Sequence, residues 1–181
     1  MLIDAEKSLL LIVDVQERLV PAVEAPQQLL DNCRWLLEIA RYLEVPVLAS
    51  EQYPQGIGPT CDRLREQVAD DEVIGKTWFS CMSDPTSGPL IDDLCPQQAV
   101  VVGIEAHVCV LQTALELKSR GREVFVVADC IASRNPADKL LAIERMRQAG
   151  IQIVSREMVA FEWMRRAATD SFRHISKHYL R

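Results

Sequence analysis

The sequence predicts an α/β protein: one doubly wound, Rossmann-like domain with a six-stranded parallel sheet and helices on both faces. Three observations carry this. Short, near-continuous apolar runs of strand length recur along the chain, the pattern of strands buried on both sides. Segments of helical periodicity alternate with them, the order of a βαβ series. The chain has 181 residues, of which 49% are apolar and 25% charged, enough to bury one core without disulfide or metal staples. No linker, low-complexity stretch or repeat divides it, so residues 1–181 read as a single domain.

Ser8 to Val13 is the first strand, an apolar run bounded by polar residues. Leu29, Leu30, Cys33, Leu36, Leu37, Ala40 and Leu43 then form one helical stripe, with Pro26 as an early helical residue, where its missing N–H costs nothing. Val45 to Ser50 is the second strand. Pro54, Gly56, Gly58 and Pro59 punctuate a loop, and Cys61 to Val68 reads as a short helix. Val73 to Lys76 is the third strand and Ala99 to Ile104, with three consecutive valines, the fourth. Val108 to Arg120 is a helix stopped by Gly121, which takes a left-handed cap cheaply. Glu123 to Ala128 is the fifth strand. Asn135 and Pro136 cap and open a helix reaching about Ala149, Ile151 to Ser155 is the sixth strand, and two helical segments complete the chain.

Composition excludes several function classes. The formal charge of -6 argues against a nucleic-acid or anionic-membrane surface, since phosphate binding needs a basic field. The longest apolar run near the start, Leu9 to Val13, falls far short of the ~20 residues of a membrane-spanning helix. The first seven residues do not resemble a secretory leader. A soluble cytoplasmic protein is the expectation. The six cysteines (33, 61, 81, 95, 109, 130) include no C-x-x-C pair, and the three histidines (107, 174, 178) no H-E-x-x-H, so neither a metal nor another cofactor is expected.

In a doubly wound sheet, ligands bind beyond the carboxyl ends of the strands. Asp14 directly follows the first strand, Lys76 ends the third, and Cys109 opens the helix after the fourth. A carboxylate, an ammonium and a thiol on one crevice suit nucleophilic catalysis: the thiol attacks and the carboxylate carries its proton to a leaving amine. Each also has a structural reading. Asp14 could cap a loop, Lys76 could be a solvated surface lysine, and Cys109 could be a small buried hydrophobe.

Leu11-Ile12-Val13-Asp14-Val15-Gln16, the lysine of Gly75-Lys76-Thr77 and the run from Gly103 to Ala114 resemble the three signature regions of the isochorismatase-like cysteine hydrolases. Glu51 to Thr60 and Asp129 to Arg134 resemble the isochorismatase-domain-containing subgroup. The resemblance implies that Asp14 is general base and acid, Lys76 its electrostatic partner and Cys109 the nucleophile. It also implies a cis peptide at Ile104–Glu105 and an oxyanion hole formed by the backbone N–H groups of Glu105 and Cys109. Nicotinamidases of the family carry metal-binding histidines after the second strand. Here that region reads Ala49 to Pro54, with no histidine before His107, so metal-assisted nicotinamide hydrolysis is disfavoured. A cysteine in the full nucleophile motif favours acyl chemistry over vinyl-ether cleavage.

The expected activity is thus metal-independent cleavage of a small amide-type C–N bond through a thioester, acting on a small-molecule substrate. The alternative is a non-catalytic assembly protein or thiol redox sensor on the same scaffold. Gln16, Gln52, Trp78 and Phe79 are the substrate-pocket candidates. Cys81, Cys95 and Cys130 read as packing, and Arg173, His174, Lys177, His178 and Arg181 as a solvated or subunit-facing basic surface. A homo-oligomer is expected, as in the family, with apolar residues of the last two helices (Met158 to Met164 and Phe172 to Leu180) contributing to the interface.

Overall fold

The computed structural model describes residues 1–180; Arg181 of the expected basic face lies outside them. The strands are β1 (Ser8–Val13), β2 (Val47–Gln52), β3 (Val73–Lys76), β4 (Gln98–Ile104), β5 (Glu123–Ala132) and β6 (Gln152–Val154). The helices are α1 (Pro26–Tyr42), α2 (Pro54–Ile57), α3 (Asp62–Arg65), α4 (Ser87–Leu94), α5 (Leu111–Ser119), α6 (Pro136–Gln148), α7 (Arg156–Met164) and α8 (Asp170–Tyr179). The strands form one sheet in the order β3-β2-β1-β4-β5-β6, with every pairing parallel. The chain winds outward from β1 to one edge, then returns to β4 and winds to the other. That reversal opens a crevice beyond the carboxyl ends of β1 and β4.

Strand alternation divides the core. In β1, Leu10 and Ile12 point to the face covered by α1, α7 and α8. Leu9, Leu11 and Val13 point to the face that includes apolar residues of α4, α5 and α6. Burying each such leucine or isoleucine stabilises the fold by about 1.5–3 kcal/mol. Where β1 and β4 lie closest to the crevice, Val13 pairs with Gly103. Gly103 has φ +115, and a Cβ there would collide with the Val13 backbone, so this position needs glycine.

Several elements differ from expectation for local reasons. The second strand starts at Val47 because the Val45 N–H turns back to the Ala40 carbonyl (2.9 Å) and closes α1. The proline- and glycine-marked loop contains one helical turn, α2, and the next helix is only the single turn α3. Helix α4 was not expected at all. Its start is organised by Asp84, whose carboxylate accepts the N–H groups of Thr86 (2.9 Å) and Ser87 (3.3 Å), and Pro89 falls in its first turn, where proline is tolerated.

β5 runs on to Ala132 through a bulge in which four of its residues lie opposite one of β4. The displaced carbonyls of Asp129 and Cys130 accept from the Asn32 amide (2.5 Å) and the Cys33 thiol (3.4 Å). The last two helices are spent mainly on the core. Val159, Trp163, Met164 and Ile175 are buried, Phe172, Tyr179 and Leu180 pack against them, and only Met158 and Phe161 remain half exposed. No helix among the described residues is long and apolar enough to cross a membrane.

Candidate active site

The switch point brings Asp14, Lys76 and Cys109 into one buried cluster. Asp14 leaves β1 with a left-handed backbone (φ 51), and its N–H donates to the Ser50 carbonyl of the neighbouring strand (3.1 Å). That turn sends the carboxylate into the crevice rather than to solvent. Ser50 Oγ donates to Oδ1 (2.7 Å) and Lys76 Nζ to Oδ2 (2.8 Å). The ion pair is fully buried, where loss of either partner would strand a charge.

Lys76 is caged by acceptors. Besides Asp14, its ammonium donates to Gln52 Oε1 (2.6 Å) and to the carbonyls of Trp78 and Phe79 (both 3.1 Å). Burial alone would lower its pKa, but the Asp14 carboxylate, with Cys81 and Cys109 nearby, outweighs burial and holds it above the ordinary lysine value. The side chain is therefore an ammonium at neutral pH.

Cys109 sits in a π-helical turn, Ala106–Val110, that precedes α5; the Val110 N–H reaches the Glu105 carbonyl at 3.2 Å. The Ile104–Glu105 peptide before it is cis. Cys109 is 6% exposed. Burial pushes its thiol pKa far up, the Asp14 charge adds to this, and Lys76 only partly opposes them. At neutral pH the group is a protonated thiol beside a carboxylate. The arrangement suits transfer of the proton to Asp14 as attack proceeds, rather than a standing thiolate.

Of the other residues around the site, most are held by partners within the protein. Gln16 donates to the carbonyls of Gln52 (3.0 Å) and Gly58 (2.6 Å) and accepts from the Gln52 N–H (2.7 Å). Gln52 spends its amide on the Thr77 carbonyl (2.8 Å) and its oxygen on Lys76. Both glutamines thus pin the β2 end and the lysine. Trp78 and Phe79 are 57% and 55% exposed, beside the carbonyls that hold Lys76. Glu105 turns its carboxylate to the Arg134 N–H and Nε (both 3.0 Å). His107 lies between Ser133 Oγ (2.9 Å) and Asp138 (4.0 Å).

Two members of the cluster were not expected there. Ser50 fixes one oxygen of Asp14, a role that follows from the pairing of Val13 with Ser50. Cys81 is a second thiol, pushed up to about 11 by burial and then by Asp14, with Lys76, Ser50 and Thr113 opposing. Among the described residues, no group of three or more His, Cys, Asp or Glu side chains is disposed to hold a metal ion.

A curated relative, isochorismatase domain-containing protein 2 of Danio rerio, is 36% identical over 170 residues, covering 94% of this chain and 85% of that protein. The structure of MAR1 ribonuclease from Caenorhabditis elegans superposes with a TM-score of 0.92 at 33% identity, covering 100% of this chain and 93% of that one. YcaC from Escherichia coli, described as an octameric hydrolase of unknown specificity, gives 0.92 at 26% identity over 99% and 92% of the two chains. YcaC from Pseudomonas aeruginosa, with hexane-2,5-diol and covalent acrylamide, gives 0.90 at 25% identity over 97% and 90%. The strand order, the crevice and these likenesses agree with the match of residues 8–158 to the family described as Isochorismatase domain, and the chain belongs to that isochorismatase family.

Proposed function

We propose that this protein is a metal-independent cysteine hydrolase that cleaves a small amide-type C–N bond through a thioester. The observation that carries the reading is the Asp14 carboxylate, locked by Ser50 and Lys76 in the same buried cluster as the Cys109 thiol. As Cys109 Sγ bonds to the substrate carbonyl carbon, its proton passes to Asp14. The backbone N–H groups of Glu105 and Cys109 hold the developing oxyanion. The C–N bond then breaks, and the proton on Asp14 goes to the leaving nitrogen. Water attacks the thioester, Asp14 takes its proton, and cleavage of the C–S bond releases the acid as the proton returns to sulfur. Lys76 stabilises the carboxylate between these transfers. The Escherichia coli relative YcaC, a hydrolase of unknown specificity, supports hydrolysis on this scaffold, and the covalent acrylamide in the Pseudomonas aeruginosa form suits a reactive nucleophile.

An assembly of identical subunits fits the octameric Escherichia coli relative. Leu140, Leu141, Met158 and Phe161, all well exposed, are the apolar residues such contacts would cover. The ribonuclease relative does not lead us to an RNA substrate, because a chain of net charge -6 lacks the cationic field that phosphates need.

The decisive experiment offers a panel of small amides and follows both product and intact protein mass. An acyl adduct on Cys109 that turns over, and its disappearance in Cys109→Ala, is the expected result. Full turnover by Cys109→Ala overturns the covalent mechanism. If no amide is cleaved, peroxide titration tests the sensor reading, which requires oxidation of Cys109 to a sulfenic acid as peroxide is reduced to water.

A further inference from the structure

The loops that frame the crevice offer a ligand no free positive charge. Lys76 directs its ammonium to four protein acceptors. The loops that follow β1 to β5 (residues 14–25, 53–61, 77–86, 105–110 and 133–135) contain two further cations, Arg18 and Arg134. Arg18 lies along the neighbouring loop and donates to the Gly56 carbonyl (2.7 Å). Arg134 is held on Glu105 (3.0 Å). The same loops carry five carboxylates. What they present instead is aromatic: Tyr53, Trp78 and Phe79 are each more than half exposed.

A carboxylate entering this crevice would lose water beside Asp14 and find no partner to replace it. A neutral amide has only its N–H and C=O groups to satisfy, which the backbone can do. We infer that the site takes small uncharged amides with an apolar acyl group and rejects anionic substrates, including the dicarboxylate for which the family is named. This rests on the hydrolase reading for the reaction, but the charge preference can be measured without it.

Two probes of nearly equal size, iodoacetamide and iodoacetate, differ by one negative charge. Their alkylation rates at Cys109 are read by peptide mass spectrometry and divided by their rates with the neutral thiol 2-mercaptoethanol. The expected result is a preference for iodoacetamide of about tenfold or more, the scale of one close like-charge contact near a protein surface. Equal ratios, or a preference for iodoacetate, overturn the inference. Arg18→Gln should leave the ratio unchanged; a further fall in the iodoacetate rate would mean that Arg18 serves the site, and would overturn it too. Hydrolysis of butyramide against succinamate repeats the comparison on substrates. Succinamate cleaved as well as butyramide defeats the charge rule and leaves the hydrolase reading standing. A clear iodoacetamide preference without turnover of any amide leaves the charge rule standing and defeats the hydrolase reading.

Discussion

Two pairs of buried cysteines lie on opposite faces of the sheet. On the α1 face the Cys33 thiol donates to the Cys130 carbonyl at the β5 bulge, and Cys130 is pushed well above the ordinary thiol range by burial and by Cys33. On the other face Cys81 and Cys109 are also pushed up, again chiefly by burial. Burial therefore does not distinguish a nucleophile from a packing residue. What sets Cys109 apart is a carboxylate and an ammonium buried in the same cluster, with a backbone that delivers them from three strands. The charged pair that acts on Cys130, Asp129 and Arg156, is instead about one-third exposed. A raised pKa is harmless where nothing needs the thiolate; beside Asp14 it makes proton transfer part of the attack.

The strongest test of that contrast separates thiolate formation from catalysis. Asp14→Asn removes the negative charge that opposes Cys109 ionisation and leaves the positive Lys76, so the Cys109 pKa should fall. Iodoacetamide, which needs only the thiolate, should then label Cys109 faster than in the parent at neutral pH, while labelling of Cys130 stays unchanged. Amide turnover should drop by about a thousandfold or more, because no group remains to protonate the leaving nitrogen. Slower labelling in the variant would mean that losing Asp14 as acceptor of the thiol proton outweighs the fall in the Cys109 pKa, and the expected order of the two effects would be wrong.

The second test breaks the scaffold shared by both pairs. Gly103→Ala places a methyl group against the Val13 backbone at a φ of +115, and should cost about 3 kcal/mol by overpacking and backbone strain. Since Val13 carries Asp14, the variant should lose activity even where it remains folded. Chemical denaturation reads the first effect and amide turnover the second. An unchanged denaturation midpoint would show that the β1–β4 seam can open without penalty.

The same comparison shows what was legible in the sequence. The bounds of β1 follow from an apolar run that nothing interrupts and those of β3 from the short run Val73-Ile74-Gly75, with Asp14 following the first and Lys76 ending the second. Helix α4 is not assigned from the sequence: it is short, carries a proline in its first turn, and the carboxylate that holds its first N–H groups, Asp84, lies three residues before it. Gln16 and Gln52 drew attention as possible ligand contacts. Whether a glutamine faces a ligand or its own backbone depends on the path of the 56–60 loop, which no local pattern encodes. Ser50 and Cys81 needed the register of β2 on β1 and the fold of the 77–86 loop before either could be seen beside Asp14.

The smallest expected effect extends the comparison to every buried thiol. Cys61, Cys81 and Cys95 are each pushed up to about 11 from an ordinary value of 9.0, in all three chiefly by burial. Below the ordinary value both folded and unfolded chains hold these protons, and the stabilisation is fully present. Above it the unfolded chain releases protons that the folded chain retains, so stability falls as pH rises from about 9 to about 11. Each group contributes at most about 1.4 kcal/mol per pH unit in that window. Cys95→Ala removes one such thiol far from the candidate site, and its unfolding midpoint should decline less steeply with pH than the parent's. Asp14→Asn gives the contrasting case, since a lower Cys109 pKa shrinks that thiol's share of the alkaline loss. Equal slopes for parent and Cys95→Ala would show that Cys95 ionises as readily in the folded chain as in the unfolded one, and that burial on that face does not hold its proton.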